Sequence, residues 1–196
     1  MTRLILASQS EARTRLLRAA GLTFESIPAR IDEQAVRESL LATDPRDLAD
    51  SLAELKARKV SASHPDALVI GADQLLVFEG EAIGKSTDFL EARALLKRLS
   101  GTTHALITAS VLARNGAVVW RHVTRAELTM RPFSDAFLDD YLSANGEELL
   151  DCVGCYRLEG EGIQLFSNVS GDYFTILGLP LLPLLGALRE FGVLLS

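Results

Sequence analysis

The feature that most constrains the fold of this chain is a pair of apolar-rich segments, residues 104–113 and 117–130, which flank Asn115-Gly116. An Asn-Gly pair readily takes the positive φ angles that a tight two-residue turn requires. The pattern therefore predicts a long β-hairpin, and at least part of the sheet that contains it is expected to be antiparallel.

Other strands and helices alternate along the 196 residues. Short apolar runs predict strands at residues 4–7, 22–27 and 67–73, and residues 75–78 before Glu79-Gly80 predict a hairpin or a bent continuation. Helical spacing and capping residues predict one helix that starts after residue 10 and ends before Gly21. They predict four more helices at 44–60, 89–99, 134–143 and 180–191. The expected fold is mixed α/β (α+β), with a twisted sheet covered by helices on both sides.

Composition narrows the class of ligand. The formal net charge is −6 and the sequence pI is about 5.1, so the chain lacks the broad basic face that binds nucleic-acid polymers. A phosphate ligand would need a few cations in a local pocket, which suits a small nucleotide. Since there is no signal peptide, no run of 18 apolar residues and no disulfide framework, we expect one cytoplasmic domain over residues 1–196 that does not enter a membrane.

The first strand leads into a helix through small hydroxyl residues, which places backbone N–H groups and a positive dipole end at the turn. Ser8, Ser10 and Arg13 at this turn suit a phosphate. The alternative is that a serine caps the helix and Arg13 is a solvated surface charge.

Further candidates are acids and lysines. Asp73 ends an apolar strand after two small residues, where α/β sheets place ligands, so it is a metal ligand, a general base or a simple turn residue. Glu33 gains significance only if it shares a metal with Asp73. Lys56 on a predicted helix and Lys85 in a Gly-Lys pair are weak candidates alone, because most lysines are solvated.

Together these motifs resemble the Maf family over nearly the whole chain, in order and spacing. The matching segments are Leu6-Ala7-Ser8-Gln9-Ser10 with Arg13, Leu16 and Leu17; Asp32-Glu33; Lys56 after Leu52-Ala53; Gly71-Ala72-Asp73; Gly84-Lys85; Leu99-Ser100-Gly101; residues 151–156; and Gly178-Leu179-Pro180-Leu181. The chain departs from the family pattern at Glu11 and Ser86, where proline is usual, and at Ala12, where many members have arginine.

The resemblance implies a Maf/Ham1-like fold with two lobes around a nucleotide cleft, and hydrolysis of nucleoside triphosphates to a monophosphate and pyrophosphate. It also implies a divalent cation, Mg²⁺ or Mn²⁺, held by Glu33 and Asp73, with Asp73 taking the proton of the attacking water. Arg13, Lys56 and Lys85 would hold the triphosphate, with Ser8 and Ser10 at the turn. A homodimer is compatible with the resemblance.

Three positions in the family separate substrate classes, and here they hold Ala12, Gln74 and Glu159. The last two resemble members that act on 7-methyl-GTP, and a carboxylate can accept two hydrogen bonds from the edge of guanine. We therefore expect 7-methyl-GTP or another modified nucleotide as substrate, with a broader nucleotide range as the main alternative and a preference for dTTP or UTP as a further one.

Other functions remain as alternatives. The family has been linked with septum formation, so a non-catalytic nucleotide-binding regulator of cell division is the main rival. Cys152 and Cys155 would suit zinc or redox chemistry, but further ligands at zinc spacing are lacking, and two small buried thiols are the preferred interpretation. A second rival is a general phosphate-binding α/β enzyme such as a kinase, but the sequence has no G-x-x-x-x-G-K-[ST] loop.

Overall fold

The computed structural model describes residues 2–40 and 43–195 and contains one mixed sheet with flanking helices. The strands are β1 (Arg3–Leu6), β2 (Glu25–Ser26), β3 (Ala67–Phe78), β4 (Glu81–Ile83), β5 (Thr103–Arg114), β6 (Ala117–Met130) and β7 (Phe166–Ser170). The α-helices are α1 (Glu11–Ala19), α2 (Glu33–Ser39), α3 (Pro45–Ser63), α4 (Phe89–Leu99), α5 (Asp135–Asn145), α6 (Tyr173–Ile176) and α7 (Leu181–Glu190). Two 3-10 helices lie at Gly146–Asp151 and Glu161–Leu165.

The strand order is β2-β1-β3-β5-β6-β7, and β4 also pairs with β3. Strand β1 pairs in parallel with β2 and β3, whereas β3–β4 and β6–β7 are antiparallel pairs. The mixed α/β class expected from the sequence is therefore confirmed.

Alternate residues of β1 and β3 point to opposite faces of the sheet, because the side chains of a strand alternate. Leu6 and Ile70 pack in one apolar cluster with residues of α1 and α7. Ile5 and Val69 pack in a second cluster that includes Val60 of α3. Both strands are thus buried on two sides, which is why they read as continuous apolar runs.

Local signals account for α3 and for the long hairpin. The Asp44 side chain accepts a hydrogen bond from the Arg46 N–H at 2.8 Å, and Pro45 is the first helical residue. Asn115 and Gly116 take φ angles of 50° and 74° at the hairpin turn. The turn is fixed to α3, because the Gly116 N–H donates to Ser61 Oγ at 3.0 Å.

The structure corrects the strand predicted at 22–27 and confirms the turn predicted at Glu79-Gly80. The strand expected at 22–27 is only β2, since the Leu22 N–H bonds to the Leu17 carbonyl and completes the end of α1. Residues 67–78 form one continuous strand, and Glu79-Gly80 turns it into the short β4. Helix α2 and strand β7 were not predicted. Helix α2 has no buried residue and so no apolar periodicity.

The contacts of the chain group into two compact units. Unit 1 comprises Met1–Gln74, Ile107–Thr124 and Asp172–Ser196, and unit 2 comprises Leu75–Leu106 and Arg125–Gly171. None of the helices in the described part of the chain has the length and apolar character needed to cross a membrane.

Candidate active site

A buried lysine is at the centre of the candidate site in unit 1. Lys56 lies on α3 and is 8% exposed, and its ammonium group contacts two carboxylates. The Nζ atom is 2.7 Å from Asp73 Oδ1 and 2.8 Å from Glu33 Oε1. The structure thus brings together three of the four residues expected to be catalytic.

Close packing of α3 on β3 makes this contact possible. A Cβ atom at Gly71 would lie 2.2 Å from the Ala53 carbonyl oxygen and 2.7 Å from the Ala57 amide nitrogen, so only glycine fits there. Lys56 lies between these two alanines in the sequence, and Asp73 is two residues beyond Gly71 on the same face of the strand. The glycine of the Gly-Ala-Asp motif therefore sets the distance at which the lysine meets the acid.

Asp73 is 3% exposed, and its two oxygens have different environments. Oδ1 accepts the short hydrogen bond from Lys56, whereas Oδ2 is buried and has no hydrogen-bond partner within residues 2–40 and 43–195. The Arg37 Nη2 atom is 3.7 Å from Oδ2, which is too long for a hydrogen bond. A buried charged oxygen without a partner is costly, so Oδ2 is an atom to which a ligand can bind.

Glu33 is the first residue of α2, and its side chain is about half exposed. Burial raises the pKa of its carboxyl, but the charge and hydrogen bond of Lys56 outweigh burial, so the pKa of Glu33 lies below its ordinary value. Arg37 and Arg13 lower the pKa of Glu33 further. Glu33 is therefore a carboxylate at neutral pH.

The turn before α1 holds Arg13 in place. Ser10 caps the helix and accepts from the Arg13 N–H at 3.4 Å, while Ser8 Oγ accepts from Arg13 Nη1 at 3.2 Å. Arg13 Nε donates to the Gly178 carbonyl at 2.8 Å, which links the first motif to the last one. Burial lowers the pKa of Arg13, and the charges of Asp73 and Glu33 oppose that shift. Arg13 therefore belongs to the same electrostatic cluster.

Gln74, the next residue after Asp73, is held through its amide nitrogen. Nε2 lies 2.9 Å from Thr108 Oγ1, 2.9 Å from the Thr175 carbonyl and 3.1 Å from the Ile176 carbonyl. An NH₂ group has two hydrogens, so these three acceptors saturate it. The side-chain carbonyl oxygen is the atom that Gln74 can offer to a ligand.

Lys85 and Glu159 lie in unit 2. Lys85 is exposed on the segment between β4 and α4, and Glu159 is exposed after Arg157. Both affect the half-buried Cys152: burial raises the pKa of its thiol, Glu159 adds to the rise, and Lys85 opposes it. Both predicted site residues of this unit therefore contribute to the electrostatic environment of Cys152.

The cysteines are free thiols. Cys155 is buried, and its Sγ contacts Ser86 Oγ at 3.3 Å. Burial raises the pKa of both thiols, which disfavours the thiolate that nucleophilic or zinc chemistry requires. Cys152 is only half-buried, so the expectation of two buried thiols holds for Cys155 alone.

The donor set at Asp73 fits a divalent cation such as Mg²⁺ or Mn²⁺. Within the described ranges there is no group of three or more His, Cys, Asp or Glu side chains that could enclose a metal. Mg²⁺, however, is usually held by one or two carboxylates together with substrate phosphates and water. Glu33 and the buried Oδ2 of Asp73 supply such a pair of hard oxygen ligands.

Arg37 is a site residue that the sequence analysis did not identify. It lies four residues after Glu33 on α2, a spacing that places two side chains on one helix face. Recognising α2 as a helix would have pointed to it, but α2 has no apolar stripe. Ala12, the third position expected to influence substrate choice, is half-buried on α1 and precedes Arg13 in the sequence.

Comparisons with known proteins give consistent results. A family model described as Maf-like protein matches residues 3–191. The nucleoside triphosphate pyrophosphatase of Caulobacter vibrioides is 55% identical over 196 residues, covering 99% of this chain and 98% of that protein. The 7-methyl-GTP pyrophosphatase of Rhizobium etli is 52% identical over 194 residues, and the match covers 98% of this chain and 98% of that protein. The solved structure of a nucleoside-triphosphatase (dITP/XTP pyrophosphatase) from Mycobacterium abscessus is 14% identical, and the match covers 97% of this chain and 94% of that chain. Its TM-score of 0.40 is too low to establish a shared fold.

Proposed function

Because this chain belongs to the Maf family, we propose that it is a nucleoside triphosphate pyrophosphatase. It hydrolyses a nucleoside triphosphate to a nucleoside monophosphate and pyrophosphate. The resemblance inferred from the motifs is confirmed by the family model. The observation that carries the proposed mechanism is the contact of the buried Lys56 with Asp73 and Glu33, whose charges also act on the half-buried Arg13.

In the proposed reaction, a water oxygen forms a bond to the α-phosphorus while the bond from that phosphorus to the α,β-bridging oxygen breaks. The electron pair leaves with pyrophosphate. Asp73 takes the proton of the water, while Lys56 donates to its Oδ1. Lys56 thereby orients the base, and its remaining N–H is available to a phosphate oxygen.

A divalent cation would be held by Glu33 and Asp73, where it would neutralise phosphate oxygens and lower the pKa of bound water. Arg13 holds a phosphate through its guanidinium, which Ser8 and Gly178 fix in one orientation. Lys85 is proposed to stabilise the pyrophosphate leaving group. Ser10 contributes by capping the helix that carries Arg13.

We propose 7-methyl-GTP as the preferred substrate. Support comes from Gln74 and Glu159 at the two specificity positions and from relatives of that name in Rhizobium etli and Rhizobium meliloti, each 52% identical to this chain. The Glu159 carboxylate suits the N1–H and 2-amino edge of guanine, and an anion favours the positive charge of the methylated ring. Other relatives carry only the general name, so a broader range is the alternative.

The reaction is tested by turnover in oxygen-18 water with Mg²⁺ and a panel of nucleoside triphosphates. Attack at the α-phosphorus places the label in the monophosphate, and pyrophosphate appears in equal amount. Label in pyrophosphate, or a diphosphate as the initial product, would contradict the mechanism. Saturable nucleotide binding without any turnover would instead support the non-catalytic regulator.

Base selection is tested by comparing kcat/KM for 7-methyl-GTP, GTP, dTTP and UTP in the wild type and in Glu159→Gln. We expect the 7-methyl-GTP preference to fall about tenfold in the variant, the effect of losing a charge-assisted hydrogen bond. Glu161→Gln, a nearby exposed acid that bonds to Asn145, serves as the matched control. An unchanged ranking in Glu159→Gln would contradict the assignment.

Assembly and location are further proposals. We propose that the chain forms a homodimer, on the basis of the family resemblance. We also propose a cytoplasmic location, with which the two free thiols are compatible. Size-exclusion chromatography with light scattering tests the dimer, and a monomer at micromolar concentration would contradict it.

A further inference from the structure

Arg37 is placed where it could meet the substrate, although it lies outside the motifs quoted above. It projects from α2 on the face that carries Glu33, and its side chain is 24% exposed against 5% for Asp73. One side of its guanidinium therefore faces the buried acid while another part remains accessible.

The contact between Arg37 and Asp73 is loose. The distance of 3.7 Å from Nη2 to Oδ2 permits electrostatic attraction but no hydrogen bond, in contrast to 2.7 Å for Lys56 and Oδ1. Neither Oδ2 nor the Arg37 side chain forms a hydrogen bond within the described residues. Residues 2–40 and 43–195 thus leave the hydrogen-bonding capacity of the guanidinium unused.

The net charge of the cluster around Arg37 and Asp73 favours the binding of an anionic ligand. Arg13, Lys56 and Arg37 surround two carboxylates, so the cluster has one more positive charge than negative charge. Lys56 and Arg13 are already engaged by short hydrogen bonds to protein groups. Arg37 is the cation of this cluster that can turn to an anionic ligand with the smallest loss of protein contacts.

We propose that Arg37 is a phosphate-binding residue, paired loosely with Asp73 in the free protein and bound to the triphosphate in the complex. A guanidinium can donate two parallel hydrogen bonds to one phosphate, which an ammonium group cannot do. The inference rests on the proposed function, since it names a further contact for the same substrate. Because a ground-state contact with phosphate is retained in the transition state, its loss is expected mainly in KM.

The test compares the wild type with Arg37→Met, which removes the charge, and Arg37→Lys, which keeps it. Arg46→Met is the matched control, because Arg46 is an exposed arginine at the start of α3. Binding of a nucleotide analogue with a methylene group between the α and β phosphates is measured by calorimetry, with and without Mg²⁺. KM and kcat are measured for the hydrolysable nucleotide, and melting temperatures establish that each variant is folded.

We expect Arg37→Met to raise both the Kd of the analogue and the KM at least tenfold, while kcat stays within about threefold of the wild type. The Kd and KM of Arg37→Lys should lie between those of Arg37→Met and the wild type. Those of Arg46→Met should equal the wild-type values. Wild-type Kd and KM in a folded Arg37→Met would overturn the inference. If Arg37→Met does not fold, an unchanged Kd in Arg37→Lys overturns it, since a bidentate contact would be lost. A wild type that releases no pyrophosphate would overturn the proposed function instead, and the Kd comparison would still decide the role of Arg37.

Discussion

At the scale of single residues, the site is organised around the ammonium group of Lys56, which is largely removed from water and holds two carboxylates. A buried charge of this kind is tolerated only when its partners are close, and here they lie at 2.7 and 2.8 Å. The arrangement keeps Glu33 ionised and leaves one oxygen of Asp73 for chemistry.

Replacement of Asp73 by asparagine tests this role. Asp73→Asn should lower kcat by about 100-fold or more, because the amide cannot accept the proton of the attacking water. The fold should persist, since Glu33 still compensates Lys56. Stopped assays of pyrophosphate and thermal melts measure the two effects, with Asp66→Asn, an exposed acid on the surface, as control. Retention of most of the wild-type rate would show that Asp73 is not the base.

A second titratable group of interest is His104, which is buried in unit 2. Its Nε2 lies 2.8 Å from the Tyr156 hydroxyl, and its Nδ1 is buried without a hydrogen-bond partner among the described residues. Burial lowers the pKa of His104 from 6.5 to about 4, so the imidazole is neutral in the folded protein at neutral pH.

The unfolded chain takes up a proton on this histidine below about pH 6.5, whereas the folded protein does so only near pH 4. The free energy of unfolding is therefore not reduced by this group above pH 6.5, and it decreases as the pH falls from 6.5 towards 4. Between pH 7 and 5 the loss should be about 2 kcal/mol. Urea unfolding at both values should show a smaller difference in His104→Gln than in wild type or His64→Gln. An equal difference in all three proteins would exclude His104 as the cause.

At the scale of elements, the contact between α3 and β3 determines both stability and the geometry of the site. Gly71→Ala places a methyl group against backbone atoms of α3, at 2.2 Å from the Ala53 oxygen, so the helix must move. We expect a loss of about 1–3 kcal/mol in the free energy of unfolding, as for other overpacked interiors, together with reduced kcat in the folded protein.

Gly186→Ala is the natural comparison for this variant. Gly186 lies in α7, and a Cβ atom there would meet nothing within 4 Å, so alanine should be neutral or slightly stabilising. Denaturant titration of both variants measures the difference. A Gly71→Ala protein as stable as the wild type would show that α3 can retreat from β3 without cost.

The same elements explain how far the sequence could predict the structure. Helix α3 and the long hairpin were predicted because Asp44-Pro45 and Asn115-Gly116 act locally, whatever lies around them. Helix α2 has only its cap at Asp32 as a local signal, since none of its residues is buried. The sequence identified the residue types of the site, but the approach of Arg37 to Asp73 depends on tertiary packing, which no spacing in the sequence encodes.

At the scale of the whole molecule, the candidate site residues are divided between the two units. The cluster of Arg13, Lys56 and Asp73 is in unit 1, and Lys85 and Glu159 are in unit 2. The core of each unit is formed by apolar side chains, which do not depend on an ion for their packing.

Metal removal should therefore separate activity from folding. With EDTA in excess, pyrophosphate release should fall to background while the circular dichroism spectrum is unchanged, and Mg²⁺ or Mn²⁺ should restore the rate. In Asp73→Asn, added Mg²⁺ should no longer raise the melting temperature in the presence of the methylene analogue. Full activity in EDTA would contradict the proposed role of a divalent cation.

The turn between β5 and β6 has a chemical consequence as well as a structural one. In a flexible chain an Asn-Gly pair loses ammonia readily, because the glycine amide nitrogen attacks the neighbouring side-chain carbonyl. Here that nitrogen is engaged by Ser61 Oγ, and the Gly116 carbonyl accepts from Arg58 Nε at 3.1 Å. Deamidation of Asn115 therefore requires the hairpin tip to detach from α3, so the slow appearance of aspartate at this position would record how often that part of the protein opens as it ages.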